Sequence, residues 1–357
     1  LFFVTVFSSC IKDPAGGGGT GGGGNGGGGS ALPQRIILDT AYGPDPNQKM
    51  DIYLPAGRTT ATKVVIYIHG GGWESGSKSD GEYQQHKEML RQKWPDAAVA
   101  TINYRLTSNP AIHYTQIMSD VTSAVNLIIN SKANFVVSDT LTMVGASAGA
   151  HLAMLYTYKY NTNNYVKAVA DFFGPAKLSD WTWYNSFNPW VGKAVKDVLI
   201  QFNGAPWDVP LYDSNSPYSV ATAQSKPTII FHGTIDVIVP LYQSQWMRAQ
   251  LNTLGVPNEY YEYLDGHGFN YSNTNDVISQ LVKPDGDLLY LTSDNVARFR
   301  NVGITITAPV PLTKWWSSNV FINVFNNHYE GVYENKPLDM SFTSFMINMT
   351  QTFTIKP

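Results

Sequence analysis

One cysteine, Cys10, stands in a chain of 357 residues. No intrachain disulfide and no cysteine-held metal cluster can form. Charge is scarce too: Asp, Glu, Lys and Arg make up 14% of the chain, against about 25% in an average soluble domain. The net charge is −3 and no long basic run occurs, which argues against nucleic acid as a partner. No apolar run reaches the roughly 20 residues that a membrane-spanning helix needs. Apolar residues as a class are plentiful, at 43%, so a sizeable core can form; aromatics reach 13%. That bias suits aromatic-lined grooves, exposed tyrosines or barrel strands.

The chain opens LFFVTVFSSC, an apolar run closed by two serines and Cys10. This is the apolar region and small-residue cleavage site of an export signal. It resembles a bacterial lipoprotein signal, in which the cysteine becomes the lipidated first residue. An assembly scar with a buried or reactive cysteine is the alternative. Residues 15–30, AGGGGTGGGGNGGGGS, have almost nothing to bury and much entropy to lose, so they predict a flexible tether. Residues 1–14 are read as a truncated signal and 15–30 as a linker. The expected location is exported, either lipid-anchored at an outer membrane or periplasmic.

From Arg35 strands and helices alternate. RIILDTAYG and QKMDIYLPA predict an antiparallel pair. KVVIYIHG (63–70), AAVATINYRL (97–106), TLTMVGAS (140–147), VKAVADFFG (166–174), KPTIIFHG (226–233) and NEYYEYLDG (258–266) predict further strands. Ile117, Val121, Val125 and Ile128 recur at helical spacing within 114–131, and 148–160 predicts a second helix. The alternation predicts an α/β fold with a mostly parallel sheet covered on both faces, over residues 31–272. An aromatic-rich insert, including DWTWYNSFNPW (180–190), interrupts it. A substrate wall and ordinary surface packing are both open readings for that insert.

The chemistry gathers at strand ends. GASAG (145–149) is a G-x-S-x-G motif between a predicted strand and a predicted helix, with Ser147 at its centre. The glycines relieve a tight turn that lifts the serine over the sheet. HGGGW (69–73) follows another strand. Its glycines let backbone N–H groups face an oxyanion, together with the N–H of Ala148. Asp236 in FHGTIDVIVP and His267 in DGHGF follow two later strands. A turn or cap aspartate would be the better reading of Asp236 taken alone. The order Ser, Asp, His is that of the α/β-hydrolases, not that of chymotrypsin or subtilisin. His69 and His232 are read as turn-ordering residues and His151 as part of the helix after Ser147. His86, His113 and His328 have no suitable strand-end setting.

With these motifs in hand, residues from about 34 to 268 resemble an α/β-hydrolase of the esterase/lipase group, nearest to hormone-sensitive-lipase-like and feruloyl-esterase-like carboxylesterases. The likeness rests on DIYLPAG, VVIYIHGGGWESGSKSD, TINYRL, VGASAGAHLA, SPYSVATAQSKPTIIFHGTIDVIVP and GHGF. It implies Ser147 as nucleophile, His267 as general base, Asp236 as its orienting acid, and Gly71, Gly72 and Ala148 as the oxyanion hole. Trp73 and Tyr104 are given no catalytic role. The implied reaction is two-step acyl transfer through an acyl-enzyme, on small or carbohydrate-linked esters, with no metal or organic cofactor. Two other readings are a serine peptidase of the prolyl-oligopeptidase type, which lacks the glycine run, and a non-catalytic binding or outer-membrane protein on the same fold.

After His267 the character changes. VGITITAPV, SNVFINVFNNHYEG and TSFMINMTQTFTI alternate apolar and polar residues, the pattern of transmembrane barrel strands. Residues 273–357 resemble part of a TonB-dependent outer-membrane receptor barrel. A few strands cannot close a barrel. DVISQLVK (276–283) could begin the hydrolase's last helix, but it soon meets PDGD; the favoured reading is two fragments joined by error near 268–276, because the barrel is incomplete and that last helix is read as missing. A true fusion with an extra β-module and a carbohydrate-binding-like domain are the alternatives.

Overall fold

The computed structural model describes residues 31–188 and 192–281, and the backbone of 297–311, 316–333 and 336–353. Cys10 and the glycine run lie outside the described residues.

The expected antiparallel pair is β1 (Arg35–Ala41) and β2 (Lys49–Leu54). The central strands are β3 (Val64–Ile68), β4 (Ala98–Ile102), β5 (Leu141–Ala146) and β6 (Val166–Phe172). A two-strand ladder in the insert, β7 (Phe187–Asn188) and β8 (Lys193–Ala194), precedes β9 (Thr228–Gly233) and β10 (Asn258–Tyr263). The eight-stranded sheet runs β1-β2-β4-β3-β5-β6-β9-β10. Every pairing from β4 to β10 is parallel. All the parallel strands therefore end on one edge, where ligands bind in such sheets.

The helices are α1 (Gly81–Lys93), α2 (Tyr114–Phe135), α3 (Ala148–Leu155), α4 (Trp181–Tyr184), α5 (Val195–Asn203), α6 (Val209–Ser214), α7 (Pro217–Val220), α8 (Tyr242–Thr253) and α9 (Tyr271–Leu281). The helix predicted over 148–160 changes at Tyr156 to a wider π-type turn that ends at Tyr160.

Strand side chains point alternately to opposite faces. Val64, Ile66 and Ile68 of β3 accordingly join one core, and Val65 and Tyr67 join the other. Against the first lie Ile117, Val121, Val125 and Ile128 of α2, all buried as their spacing predicts. Each such burial contributes about 1.5–3 kcal/mol relative to exposure. The second core holds Met89 and Leu90 of α1 with Val277, Ile278 and Leu281 of α9.

Helix α9 corrects the expectation of a missing last helix. The segment after Ser272 stays helical to Leu281 and buries its apolar side chains in the second core. A boundary at 272 would cut this helix after its second residue.

Three further strands, β11 (Ala297–Pro311), β12 (Trp316–Tyr333) and β13 (Lys336–Phe353), form a separate antiparallel sheet. They overlap the three segments predicted as strands in the tail, of which residues 354–355 lie outside the described residues. The facing of their side chains lies outside what is described.

Candidate active site

β5 runs into α3 through a sharp turn at Ser147, with φ 54 and ψ −123. That backbone is strained for a residue with a Cβ. The motif glycines have a steric cause. A Cβ on Gly145 would lie 2.3 Å from the Gly149 carbonyl oxygen, and one on Gly149 would lie 2.1 Å from that of Ile68. Helix α3 can thus sit close on β3 and β5 only without those side chains.

His267 Nε2 lies 2.8 Å from Ser147 Oγ, and His267 Nδ1 lies 2.7 Å from Asp236 Oδ2. A carboxylate only accepts, so Nδ1 carries the proton in the neutral ring and Nε2 is free to accept from the serine. The loops bearing Asp236 and His267 are zipped together. Thr234 N–H donates to the Tyr263 carbonyl at 2.7 Å, and Ile235 N–H to that of Asp265 at 3.1 Å. Gly233 permits this approach, because a Cβ there would lie 2.2 Å from the Gly266 oxygen. Phe173, itself at φ 47, sets its ring edgewise 4.8 Å from the His267 ring.

Asp236 is fully buried. Its Oδ1 accepts from the N–H groups of Ile238 and Val239 at 2.8 and 3.0 Å. Burial pushes its carboxyl up, but hydrogen bonds from His232 and His267 outweigh that and hold it well below the ordinary carboxylate range. It stays ionised at neutral and mildly acid pH.

His232 is a residue the sequence reading undervalued. Its Nε2 lies 2.9 Å from the Val239 carbonyl and 3.2 Å from Asp236 Oδ2, while Nδ1 faces Ser244 Oγ at 2.7 Å. The carbonyl can only accept, so Nε2–H is shared between Val239 and Asp236. Asp236 is therefore gripped by two imidazoles. His232→Asn is expected to lower kcat/KM by about ten- to a hundredfold, or about 1.4–2.7 kcal/mol of transition-state stabilisation. Steady-state kinetics check this, and an unchanged kcat/KM would remove His232 from the site. The only sequence signal was its place four residues before Asp236.

The HGGGW turn holds three successive residues at positive φ: Gly71 at 102, Gly72 at 60 and Trp73 at 62. A Cβ on Gly71 would lie 2.1 Å from the Ser75 oxygen. Tyr104 hydroxyl reaches the carbonyls of both His69 and Gly70 at 3.2 Å. The His69 ring stacks on Tyr104 at 4.4 Å and donates from Nδ1 to the Gly70 carbonyl at 2.8 Å. Burial pushes the His69 imidazole down to about 4, so it stays neutral. Tyr104 and His69 thus brace the turn from below. Ala148 is the first residue of α3, where an N–H has no acceptor within the helix. Gly72, Ser147 and Ala148 line one cavity, and Gly71 lies one residue outside that lining.

Trp183, Val195, Val198 and Leu199 of the insert line the same cavity. The insert is a wall of the site, not a separate surface feature.

Beneath the site, Asp171 at the end of β6 is fully buried. Its Oδ1 accepts from Gly174 N–H at 2.7 Å, while Oδ2 has no partner. Burial pushes its carboxyl up to about 7. Between about pH 4 and 7 the folded state then binds more protons than the unfolded state, so this group makes stability fall as pH rises through that window. Asp171→Asn is expected to gain on the native chain between pH 4 and pH 8, by up to about 4 kcal/mol. Urea melts at the two pH values check it; an equal difference at both would refute it.

A family model described as BD-FAE matches residues 50–251, more than half of the chain. The chain belongs to the BD-FAE family. A second model, of the outer membrane protein beta-barrel family, matches residues 261–357. Among curated proteins the BD-FAE chain is similar to esterase LipQ of Mycobacterium tuberculosis, 26% identical over 255 residues, covering 66% of this chain and 58% of LipQ. It is similar to the isoprenylcysteine alpha-carbonyl methylesterase ICME of Arabidopsis thaliana, 24% identical, covering 61% of this chain and 53% of that one. The chain thus spans a little over half the length of these two relatives. Among solved structures it is similar to a truncated carbohydrate esterase from gut microbiota, with TM-score 0.58, 20% identity, and coverage of 69% of this chain and 94% of that one. A thermophilic esterase, Est2 of Thermogutta terrifontis, gives TM-score 0.56 at 20% identity, covering 72% and 94%. The fold is that of an α/β-hydrolase.

Proposed function

We propose that this BD-FAE protein is a serine carboxylesterase that works through Ser147, His267 and Asp236 on small or carbohydrate-linked acyl esters. The observation that carries it is the unbroken hydrogen-bonded series from Ser147 Oγ through His267 to the buried Asp236. His267 Nε2 takes the serine proton as Oγ attacks the ester carbonyl. The buried carboxylate steadies the imidazolium that results. The tetrahedral oxyanion is held by backbone N–H groups of Gly71, Gly72 and Ala148. His267 then protonates the leaving alcohol, and an acyl-enzyme forms on Ser147. Water, deprotonated by the same ring, releases the acid.

The carbohydrate-linked part of the proposal takes its support from the likeness to a carbohydrate esterase. An envelope location is supported by the barrel-family match of the tail, and the lipid anchor at Cys10 belongs to the same proposal. A fluorophosphonate probe tests the chemistry: it should label the protein, and peptide mapping should place the adduct on Ser147. Labelling that persists in Ser147→Ala, or none in the native protein, would overturn it.

A further inference from the structure

The cavity beside Ser147 is small. Its volume is about 50 Å³, and one water needs about 10–15 Å³ by the same measure, so it takes on the order of four water-sized groups. Its walls are apolar: Trp73, Trp183, Val198, Leu199, Ile238 and Val239. Gly72 and Ala148 also border it, so a carbonyl held for attack by Ser147 would send its acyl chain into this space.

Trp183 is one of the walls of this cavity. It is 5% exposed, and its indole N–H donates to the Ile238 carbonyl at 3.0 Å. Ile238 N–H in turn donates to Asp236. The opposite end of the short α4 is also fastened: Asp180 caps it through Thr182 N–H at 3.0 Å and accepts from the Tyr242 hydroxyl of α8 at 2.7 Å. Moving this wall would break a partly buried indole hydrogen bond to the loop that follows Asp236. A longer chain therefore meets a fixed surface.

We propose that Trp183 is a specificity-determining residue that confines the enzyme to short acyl groups, of up to about four carbons. This rests on the carboxylesterase reading above. It separates two classes which that reading leaves together. Acetyl and butanoyl groups fit the cavity, while hydroxycinnamoyl groups, with an aromatic ring on the acyl side, do not.

The test is a p-nitrophenyl series from acetate to octanoate, with methyl ferulate beside it, on the full chain. Native protein should hydrolyse acetate to butanoate and lose at least about tenfold in kcat/KM by octanoate. It should leave methyl ferulate intact. Trp183→Ala should move the optimum to longer chains. Val198→Ala, a milder change at a half-buried wall position, should move it the same way if the tryptophan variant folds poorly. Trp183→Phe should keep the short preference. Native activity on octanoate or ferulate as high as on acetate overturns the inference and leaves the esterase reading standing. So does an unchanged profile in folded Trp183→Ala or Val198→Ala. Absence of both Ser147 labelling and hydrolysis overturns the two together.

Discussion

On the proposed triad, Ser147→Ala is expected to lower kcat on p-nitrophenyl acetate by about 10⁶-fold, the loss that follows removal of a triad's nucleophile. The size follows from the cooperative nature of the site. His267 has no proton to take once Oγ is gone, and Asp236 then steadies a charge that never forms. His267→Ala should cost nearly as much, and the double variant little more than either single one. Asp236→Asn should cost about 10⁴-fold, because an amide can present a donor where Nδ1–H needs an acceptor. Residual activity should reflect the backbone donors around Gly72 and Ala148. The strained backbone at Ser147 is the same for serine and alanine, so the melting temperature should hardly move. Single-site losses that simply multiplied in the double variant would mean that the three residues do not act as one unit.

The site was legible in sequence to the extent that backbone sterics had left marks. Gly145 and Gly149 are glycines because the Gly149 and Ile68 carbonyls leave no room for a Cβ. Gly71 and Gly72 sit at positive φ. Such constraints are local, so they survive as short motifs. The parts that depend on side-chain contacts made only in the folded chain left no such trace. His232 earns its place through Val239, Ser244 and Asp236, and nothing in FHG distinguishes it from a turn histidine. Trp183 was one of several aromatics in DWTWYNSFNPW, and only folding turns it inward while Trp181 stays 59% exposed. Asp171 is a charge inside a run that reads as a plain buried strand. The strand order was hidden as well. β3 inserts between β4 and β5, a crossover that only the packed helices determine. Helix α9 was misjudged for a different reason. Val277, Ile278 and Leu281 do carry helical spacing, but PDGD follows closely.

A chain ending after Ser272 should fail to fold, whereas one ending after Lys283 should fold and react with a fluorophosphonate. Val277, Ile278 and Leu281 are each fully buried. At about 1.5–3 kcal/mol apiece, their loss removes roughly 5–9 kcal/mol, comparable with the roughly 5–15 kcal/mol that holds an ordinary domain together. The exposed faces of Met89 and Leu90 on α1 would add an aggregation liability. The effect reaches His267 directly. Asp265 Oδ2 accepts from Asn270 N–H at 3.1 Å and from Asn273 Nδ2 at 2.7 Å. Those bonds close the loop that carries His267 onto the first turn of α9. Tyr263, at the end of β10, donates to Asp276 of the same helix at 2.7 Å. Without α9 the strand end and the loop lose their common support, and His267 loses its position over Ser147. Thermal melts and labelling rates for the two chains measure both effects. If the chain ending at Ser272 melted cooperatively and labelled as fast as the longer one, α9 would belong to the tail and not to the hydrolase.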